Sequence, residues 1–260
     1  MDLQLTGRRA VITGASRGIG LAIARALAAE GADVGLVARD VTRLDSAAAE
    51  LAAGGALGRV IAAACDTGDD ESVATMAANL RSELGGVEIL VNSAAQANTG
   101  PMSDDMLDEQ LNVKLKGYLR CARAFAPGMV AGGWGRIINI SGLAARQAGS
   151  VVGSVRNVAV AAMTKNLADE YGPSGVNVTV VHPGMTVTER LPDTLATIAT
   201  ARGITPDEVR GSLERAVSIG RLVTADEVAH VVTFLASPLS VAINGDAIVA
   251  GGGARGPIHY

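Results

Sequence analysis

The stretch Thr13-Gly14-Ala15-Ser16-Arg17-Gly18-Ile19-Gly20 decides the fold of this chain. An apolar run over residues 10–12 precedes it and predicts a short buried strand, and apolar residues at helical spacing follow it over 21–28. The glycines therefore lie in a turn between a strand and a helix, where the backbone can approach a ligand closely. Free N–H groups at a helix N-terminus attract phosphate, so this context favours dinucleotide binding over a purely structural tight turn.

Length and composition narrow the possible classes of protein. The 260 residues suit one domain with a large core, and a hydrophobic share of 48% argues against disorder. A net charge of −4 argues against nucleic-acid binding as the main role. Cys65 and Cys121 are too far apart in the chain for a CxxC motif, so we expect neither a disulfide framework nor a metal site. Without a signal-like start or a membrane-length apolar run, we expect a cytoplasmic, soluble protein that does not bind membranes.

Strand and helix patterns alternate along the chain. Apolar runs predict further strands at 34–38, 60–64, 89–91, 136–140 and 176–181. Helices are predicted between them, among them 107–129 and 158–170, and capping signals start two more at Thr205 and Thr224. This alternation predicts an α/β fold, a three-layer Rossmann-type doubly wound parallel sheet in a single domain, with ligands at the carboxyl edge of the strands.

The Thr-Gly-x-x-x-Gly-Ile-Gly pattern and the chain length resemble the short-chain dehydrogenase/reductase family over nearly the whole chain. The resemblance implies one cofactor-binding domain over 1–260, with a substrate-covering segment near 188–218. It also implies a homodimer or homotetramer that forms through the two long helices. The usual reaction of the family transfers hydride between a nicotinamide and the carbonyl or alcohol of a small-molecule substrate.

Arg39, at the end of the second predicted strand, bears on the choice of cofactor. An acidic residue there would bind the ribose 2′-OH of NAD, whereas an arginine accommodates a 2′-phosphate. Arg17 offers a second cation, whereas Asp40, next to Arg39, counts against a phosphate site. The alternative is that Arg39 is an ordinary solvated arginine. We therefore expect NADP(H) in preference to NAD(H).

The resemblance also implies cofactor-binding residues at the ends of other strands. Asp66 resembles the family's aspartate beside the adenine, and Asn92 and Ala94 match two places of its Asn-Asn-Ala-Gly motif, where the Asn can also brace neighbouring strands. Residues 183–188 resemble the Pro-Gly segment beside the nicotinamide. The predicted cofactor-binding residues are Gly14, Ser16, Arg17, Gly18, Ile19, Gly20, Arg39, Asp66, Asn92, Ala94, Pro183, Gly184, Thr186 and Thr188.

The catalytic pair of the family is missing from the sequence. Its acid is usually a Tyr, whose pKa is lowered by a Lys four residues further on. Tyr118, Tyr171 and Tyr260 are the only tyrosines, and none has a Lys at that spacing. Flanking sequence instead assigns Gly153 to the Tyr place and Asn157 to the Lys place. The usual mechanism therefore loses its acid and its cation together.

Other polar residues are candidates for the chemistry. Flanking sequence puts Lys114 at the place of the family's Asn, where it can act as acid or base, or else reach solvent or pair with Asp108 or Glu109. Ser141, adjacent to the family's Ser place at Gly142, is predicted to donate a hydrogen bond to the substrate oxygen.

Three further side chains near this edge have two interpretations each. His182 is either a base or a structural residue before Pro183. Arg146 and Arg156 either clamp a carboxylate or phosphate, or are solvated or cap helix ends. The predicted catalytic residues are Ser141, Lys114, Asn157 and His182.

Two classes of function fit these residues. The first is an NADP(H)-binding enzyme with an atypical active site, an oxidoreductase acting on a small carbonyl, enone or imine. A non-redox isomerase, dehydratase or cyclase of the same fold is an alternative. The second class is a catalytically silent cofactor-binding partner subunit, which the missing pair favours.

Overall fold

Seven parallel strands form the central sheet of the computed structural model, which describes residues 1–95 and 103–255. The order across the sheet is β3-β2-β1-β4-β5-β6-β9, and β7 and β8 form a separate parallel pair. The strands are β1 (Arg9–Thr13), β2 (Asp33–Ala38), β3 (Val60–Ala64), β4 (Ile89–Asn92), β5 (Gly135–Ile140), β6 (Val176–Pro183), β7 (Thr186–Val187), β8 (Val223–Thr224) and β9 (Ala247–Ala250).

Helices cover both faces of this sheet. They are α1 (Gly18–Ala29), α2 (Val41–Ala53), α3 (Asp70–Leu84), α4 (Asp104–Gln110), α5 (Gly117–Ala131), α6 (Val151–Tyr171), α7 (Leu191–Arg202), α8 (Pro206–Arg215) and α9 (Ala225–Ala236). No helix of the described residues is long and apolar enough to cross a membrane.

Alternate residues of each strand build two separate cores. In β1, Ala10 and Ile12 pack with α1, α2 and α9, whereas Val11 packs with α3, α5 and α6 on the other face. Both faces of a parallel sheet are covered in this way, so its strands are nearly continuous apolar runs. The predicted three-layer, doubly wound α/β fold is confirmed.

The direction of winding changes between β1 and β4. From β1 the chain proceeds outward through β2 and β3, then returns to β4 on the other side of β1 and continues outward through β5 and β6. The carboxyl ends of β1 and β4 therefore border a crevice, which is where ligands bind in open sheets of this type.

Two helical predictions needed correction, and one helix was missed. The predicted helix 107–129 is α4 and α5, joined by a wider π-helical turn over Leu111–Lys116. The predicted helix 158–170 is α6, which begins earlier because Ser150 Oγ caps it by accepting the N–H of Gly153 at 3.1 Å. Helix α7 was not predicted. The capping boxes at Thr205 and Thr224 are confirmed.

Candidate active site

A cleft of about 1180 Å³ lies over the carboxyl edge of the sheet. It is lined by the β1–α1 turn, the ends of β2, β4, β5 and β6, the first turns of α6, and α7–α8 with their flanking segments. Every predicted cofactor residue lines it except Asp66 and Asn92, and every predicted catalytic residue does so except His182. Residues far apart in sequence therefore meet at one edge, as parallel strand ends require.

The glycine turn leaves no room for side chains. A Cβ on Gly14 would lie 2.8 Å from the carbonyl oxygen of Ser93, and one on Gly20 would lie 2.3 Å from the carbonyl oxygen of Gly14. Gly18 has a φ of +57°, which favours glycine, and its Cβ would point at Thr188 across the cleft. No side chain caps α1 and no acidic residue stands in its first turn, so its N-terminus is suited to an anion. These features fit a dinucleotide pyrophosphate.

The end of the cleft beside β1 and β2 is rich in arginine. Arg17, Arg39 and Arg43 line it, and Arg43 was not predicted from the sequence. Asp40 accepts the Arg43 backbone N–H at 3.1 Å as the N-cap of α2, and its carboxylate lies 3.2 Å from Arg43 Nε. Because Asp40 has these partners, Arg39 is free to meet a ligand phosphate.

Asn92 braces the sheet from inside. Its Nδ2 donates to Asn139 Oδ1 at 2.9 Å and to the carbonyl oxygen of Tyr118 at 3.4 Å, and the side chain is fully buried. Asp66 does not line the cleft; its carboxylate accepts the N–H of Gly68 at 2.9 Å within its own loop. For Asn92 the geometry supports the bracing role that the sequence left open.

Lys114 is the buried cation of the site. It lies in the π-helical turn, is 4% exposed, and its Nζ donates to the carbonyl oxygen of Ser141 at 2.9 Å. Burial, and then the nearby Arg156 guanidinium, lower the pKa of Lys114 to about 7. The alternative that Lys114 reaches solvent or pairs with Asp108 or Glu109 is therefore wrong.

Ser141 and Asn157 connect the end of β5 to α6. Ser141 Oγ donates to the carbonyl oxygen of Asn157 at 3.1 Å. The Asn157 side chain faces Gly142, where a Cβ would lie 3.2 Å from its Nδ2, and its buried Oδ1 has no hydrogen-bond partner. A buried amide oxygen without a donor is uncommon, and in a ligand cleft it is suited to a donor on a bound molecule.

Gly153 and His182 also lie outside the cleft lining. A Cβ on Gly153 would lie 3.2 Å from Ser150 Oγ and 3.6 Å from Ala144 Cβ, because the loop before α6 closes over this position. His182 is 1% exposed within β6, and burial, then Arg146 and Lys114, lower its pKa to about 4. His182 is thus neutral at pH 7.

The two arginines singled out from the sequence differ in position. Arg146 donates to the carbonyl oxygen of Ala247 at 3.3 Å and does not line the cleft. Arg156 does line it, and its Nη1 donates to Gln110 Oε1. Its Nε is buried without a partner, and burial lowers the pKa of its guanidinium.

Helices α7 and α8 border the cleft on its open side. Leu191, Leu195 and Val209 form a small core of their own, apart from the cores of the sheet. Thr194 and Leu213 from these helices line the cleft. Within the described residues, no group of three or more His, Cys, Asp or Glu side chains is arranged to hold a metal ion.

Comparison with known proteins agrees with this architecture. A family model described as enoyl-(acyl carrier protein) reductase matches residues 14–255. The short-chain reductase protein NovJ of Streptomyces niveus is 36% identical over 94% of this chain and 92% of its own length. The chain belongs to the short-chain dehydrogenase/reductase family.

Two solved structures superpose over nearly the whole chain. The L-sorbose reductase of Gluconobacter frateurii, solved with NADPH and L-sorbose, is 31% identical with a TM-score of 0.92, covering 99% of this chain and 100% of its own. A short-chain dehydrogenase of Burkholderia cenocepacia, solved with NADP, is 31% identical with a TM-score of 0.83, covering 97% and 100%.

Proposed function

We propose that this chain is an NADP(H)-dependent oxidoreductase that acts on a small carbonyl compound through an atypical active site centred on Lys114. The observation that carries the proposal is the Lys114 ammonium, buried in the cleft and bonded to the carbonyl oxygen of Ser141 at 2.9 Å. Lys114 is a titratable group with a pKa of about 7, which is the range a general acid needs at neutral pH.

The cleft geometry supports the proposed cofactor residues. The glycine turn and the α1 N-terminus hold the pyrophosphate, and Arg39, with Arg17 and Arg43, holds the 2′-phosphate. Thr186 and Thr188 border the nicotinamide end. A bound NADPH supplies the hydride that a carbonyl, enone or imine accepts. Solved relatives with NADPH or NADP support this choice of cofactor.

Lys114 supplies the proton that reduction requires. Its ammonium gives a proton to the substrate oxygen as that oxygen gains negative charge. The Ser141 hydroxyl has one hydrogen, so it turns from the carbonyl oxygen of Asn157 to donate to the same substrate oxygen. The neutral amine then regains a proton from water. Reduction therefore needs charged Lys114, so kcat/KM for reduction should fall as pH rises through about 7, and kcat/KM for oxidation should rise.

NADPH oxidation against a panel of ketones, enones and imines tests this proposal. Lys114→Met and Ser141→Ala should each lower kcat by roughly 100-fold or more with NADPH affinity unchanged. Lys116→Met is the matched control, because Lys116 lies in the same turn but is exposed. Full turnover in both active-site variants would show that the acid lies elsewhere.

A catalytically silent partner subunit is the second candidate function. The observation that favours it is Gly153, which has no side chain at the family's acid position and is closed over by Ser150 and Ala144. In that case the purified protein should bind NADPH but oxidise it with no member of the panel. Activity that appears only after a related reductase is added would support this candidate.

Assembly and location complete the proposal. Val151, Val155 and Val158 form an exposed apolar stripe on α6, which supports a homodimer or homotetramer built through this helix.

Cys65 and Cys121 are free and buried, in keeping with a reducing cytoplasm. The segment 188–218, with α7 and α8, covers the substrate.

A further inference from the structure

The positive charges of Lys114 and Arg156, at the inner end of the cleft near the carboxyl end of β5, have no counter-ion among the described residues. Both Lys114 and Arg156 line the cleft, and Arg156 lies close enough to lower the pKa of Lys114. Neither has a carboxylate within 4.0 Å among the described residues. Lys114 is buried and Arg156 is half-buried. Two like charges at such a site are costly unless an anion compensates them, so a bound anion would stabilise the charged forms of both.

Arg156 also has unused hydrogen-bonding capacity. A guanidinium has five N–H donors in a fixed fork, and the hydrogen bond that Arg156 makes runs from Nη1 to Gln110. Its Nε is buried without an acceptor. Such a fork matches the two oxygens of a carboxylate or phosphate.

The acidic side chains of the chain cannot fill this role. Within the described part of the chain, six Lys or Arg side chains line the cleft against two acidic ones, Asp40 and Glu189. Asp40 pairs with Arg43 at 3.2 Å, and Glu189 lies 4.0 Å from Arg17. The undescribed stretches 96–102 and 256–260 contain no Asp or Glu. The missing anion is therefore not an Asp or Glu side chain of this chain.

The cofactor phosphates have a different place in the cleft. Arg39 and Arg43, which would bind the 2′-phosphate, follow β2, whereas Ser141, the partner of Lys114, follows β5. β1 and β4 lie between these strands, which separates the two ends by about 14 Å at ordinary strand spacing. The place of the pyrophosphate, at the β1–α1 turn, is two strand spacings or about 10 Å from the end of β5. The anion at the inner end is thus assigned to the substrate.

We infer that the substrate carries a carboxylate or phosphate group, which Arg156 binds through its guanidinium fork beside Lys114. This inference rests on the proposed function, since it names the substrate class of the same cleft. A bound anion also favours the charged form of Lys114 and so raises its pKa above about 7. The bound substrate thereby keeps Lys114, which donates the proton, in its charged form.

Binding to the protein saturated with NADP⁺, measured by calorimetry, tests this inference without requiring turnover. The probes are levulinate against its methyl ester, and dihydroxyacetone phosphate against dihydroxyacetone, so that the two pairs distinguish a carboxylate from a phosphate. At least one anion should bind roughly tenfold or more tightly than its neutral partner. If neither anion is preferred, the inference is overturned.

Variants separate Arg156 from the other cations. Arg156→Gln should abolish the preference, and Arg156→Lys should restore part of it, because it keeps the charge but loses the fork. Arg123→Gln, an exposed arginine outside the cleft, should leave the preference intact. A preference that survives in Arg156→Gln would overturn the role of this residue. Preferential anion binding without NADPH oxidation by any carbonyl probe would contradict the proposed function alone, whereas turnover without an anion preference would contradict the inference alone.

Discussion

Replacing Lys114 with methionine should stabilise the protein at low pH, and this gain should shrink as pH rises. Burial lowers the pKa of Lys114 from 10.5 to about 7, so between these pH values the unfolded state binds the extra proton. Wild-type stability therefore rises with pH across this window. Below pH 7 both states are protonated and the full cost of burying the charge is present, about 5 kcal/mol.

The pH dependence of the stability difference between Lys114→Met and wild type is a clearer test than the size of that difference at one pH. Methionine removes the charge but leaves the carbonyl oxygen of Ser141 without its donor, which costs about 1–3 kcal/mol at every pH. The stability difference between variant and wild type should thus fall by about 3 kcal/mol from about pH 6.5 to about pH 9.5. His182, with a pKa of about 4, stays neutral over this range in both proteins.

Urea unfolding of the cofactor-free proteins at several pH values measures this difference. Cofactor is left out because binding to the native state would add its own stabilisation. Lys116→Met serves as the control and should show no such trend, since Lys116 is exposed. A pH-independent difference for Lys114→Met would mean that the Lys114 ammonium is hydrated in the native protein, and the argument for a buried acid would fail.

Three further outcomes are expected. Arg39→Ala should weaken NADPH binding by about 1–3 kcal/mol in calorimetry and leave NADH nearly unchanged; equal losses would contradict the 2′-phosphate role. Val155→Glu should shift a dimer or tetramer toward monomer in light scattering, because it places a charge in the exposed apolar stripe of α6; a wild type that is strictly monomeric would refute this assembly. Gly153→Tyr should not restore family-like ketone reduction and should destabilise the fold by about 1–3 kcal/mol in urea, since its Cβ meets Ser150 at 3.2 Å; full ketoreductase activity in this variant would show that the loop readily makes room.

The predicted NADP(H) cofactor agrees with solved relatives that hold NADPH or NADP, and the α/β fold is confirmed. The catalytic assignments stay predictions. Among them, Lys114 gained the most from the structure, because its buried contact with Ser141 excludes the solvated alternative. Arg43 was missed, although its position three residues after Asp40 was a readable capping signal.

The sequence by itself determined the alternation of strands and helices, the glycine turn after β1, and Arg39 at the end of β2. These features depend on local chemistry: the apolar period of a strand or helix, the conformational freedom of glycine, and the fixed place of a residue after a strand. The missing Tyr and Lys pair was equally readable, because it needs only residue types and spacing.

Tertiary structure alone decided what surrounds each of these residues. The π-helical turn departs from the regular 3.6-residue period, so a pattern search over 107–129 predicts one helix and gives no orientation for Lys114. The isolation of Lys114 and Arg156 from every described carboxylate depends on where β5, α5 and α6 pack together. Burial and pairing are properties of neighbours distant in sequence, and the pKa and ligand preference of a side chain follow from those neighbours.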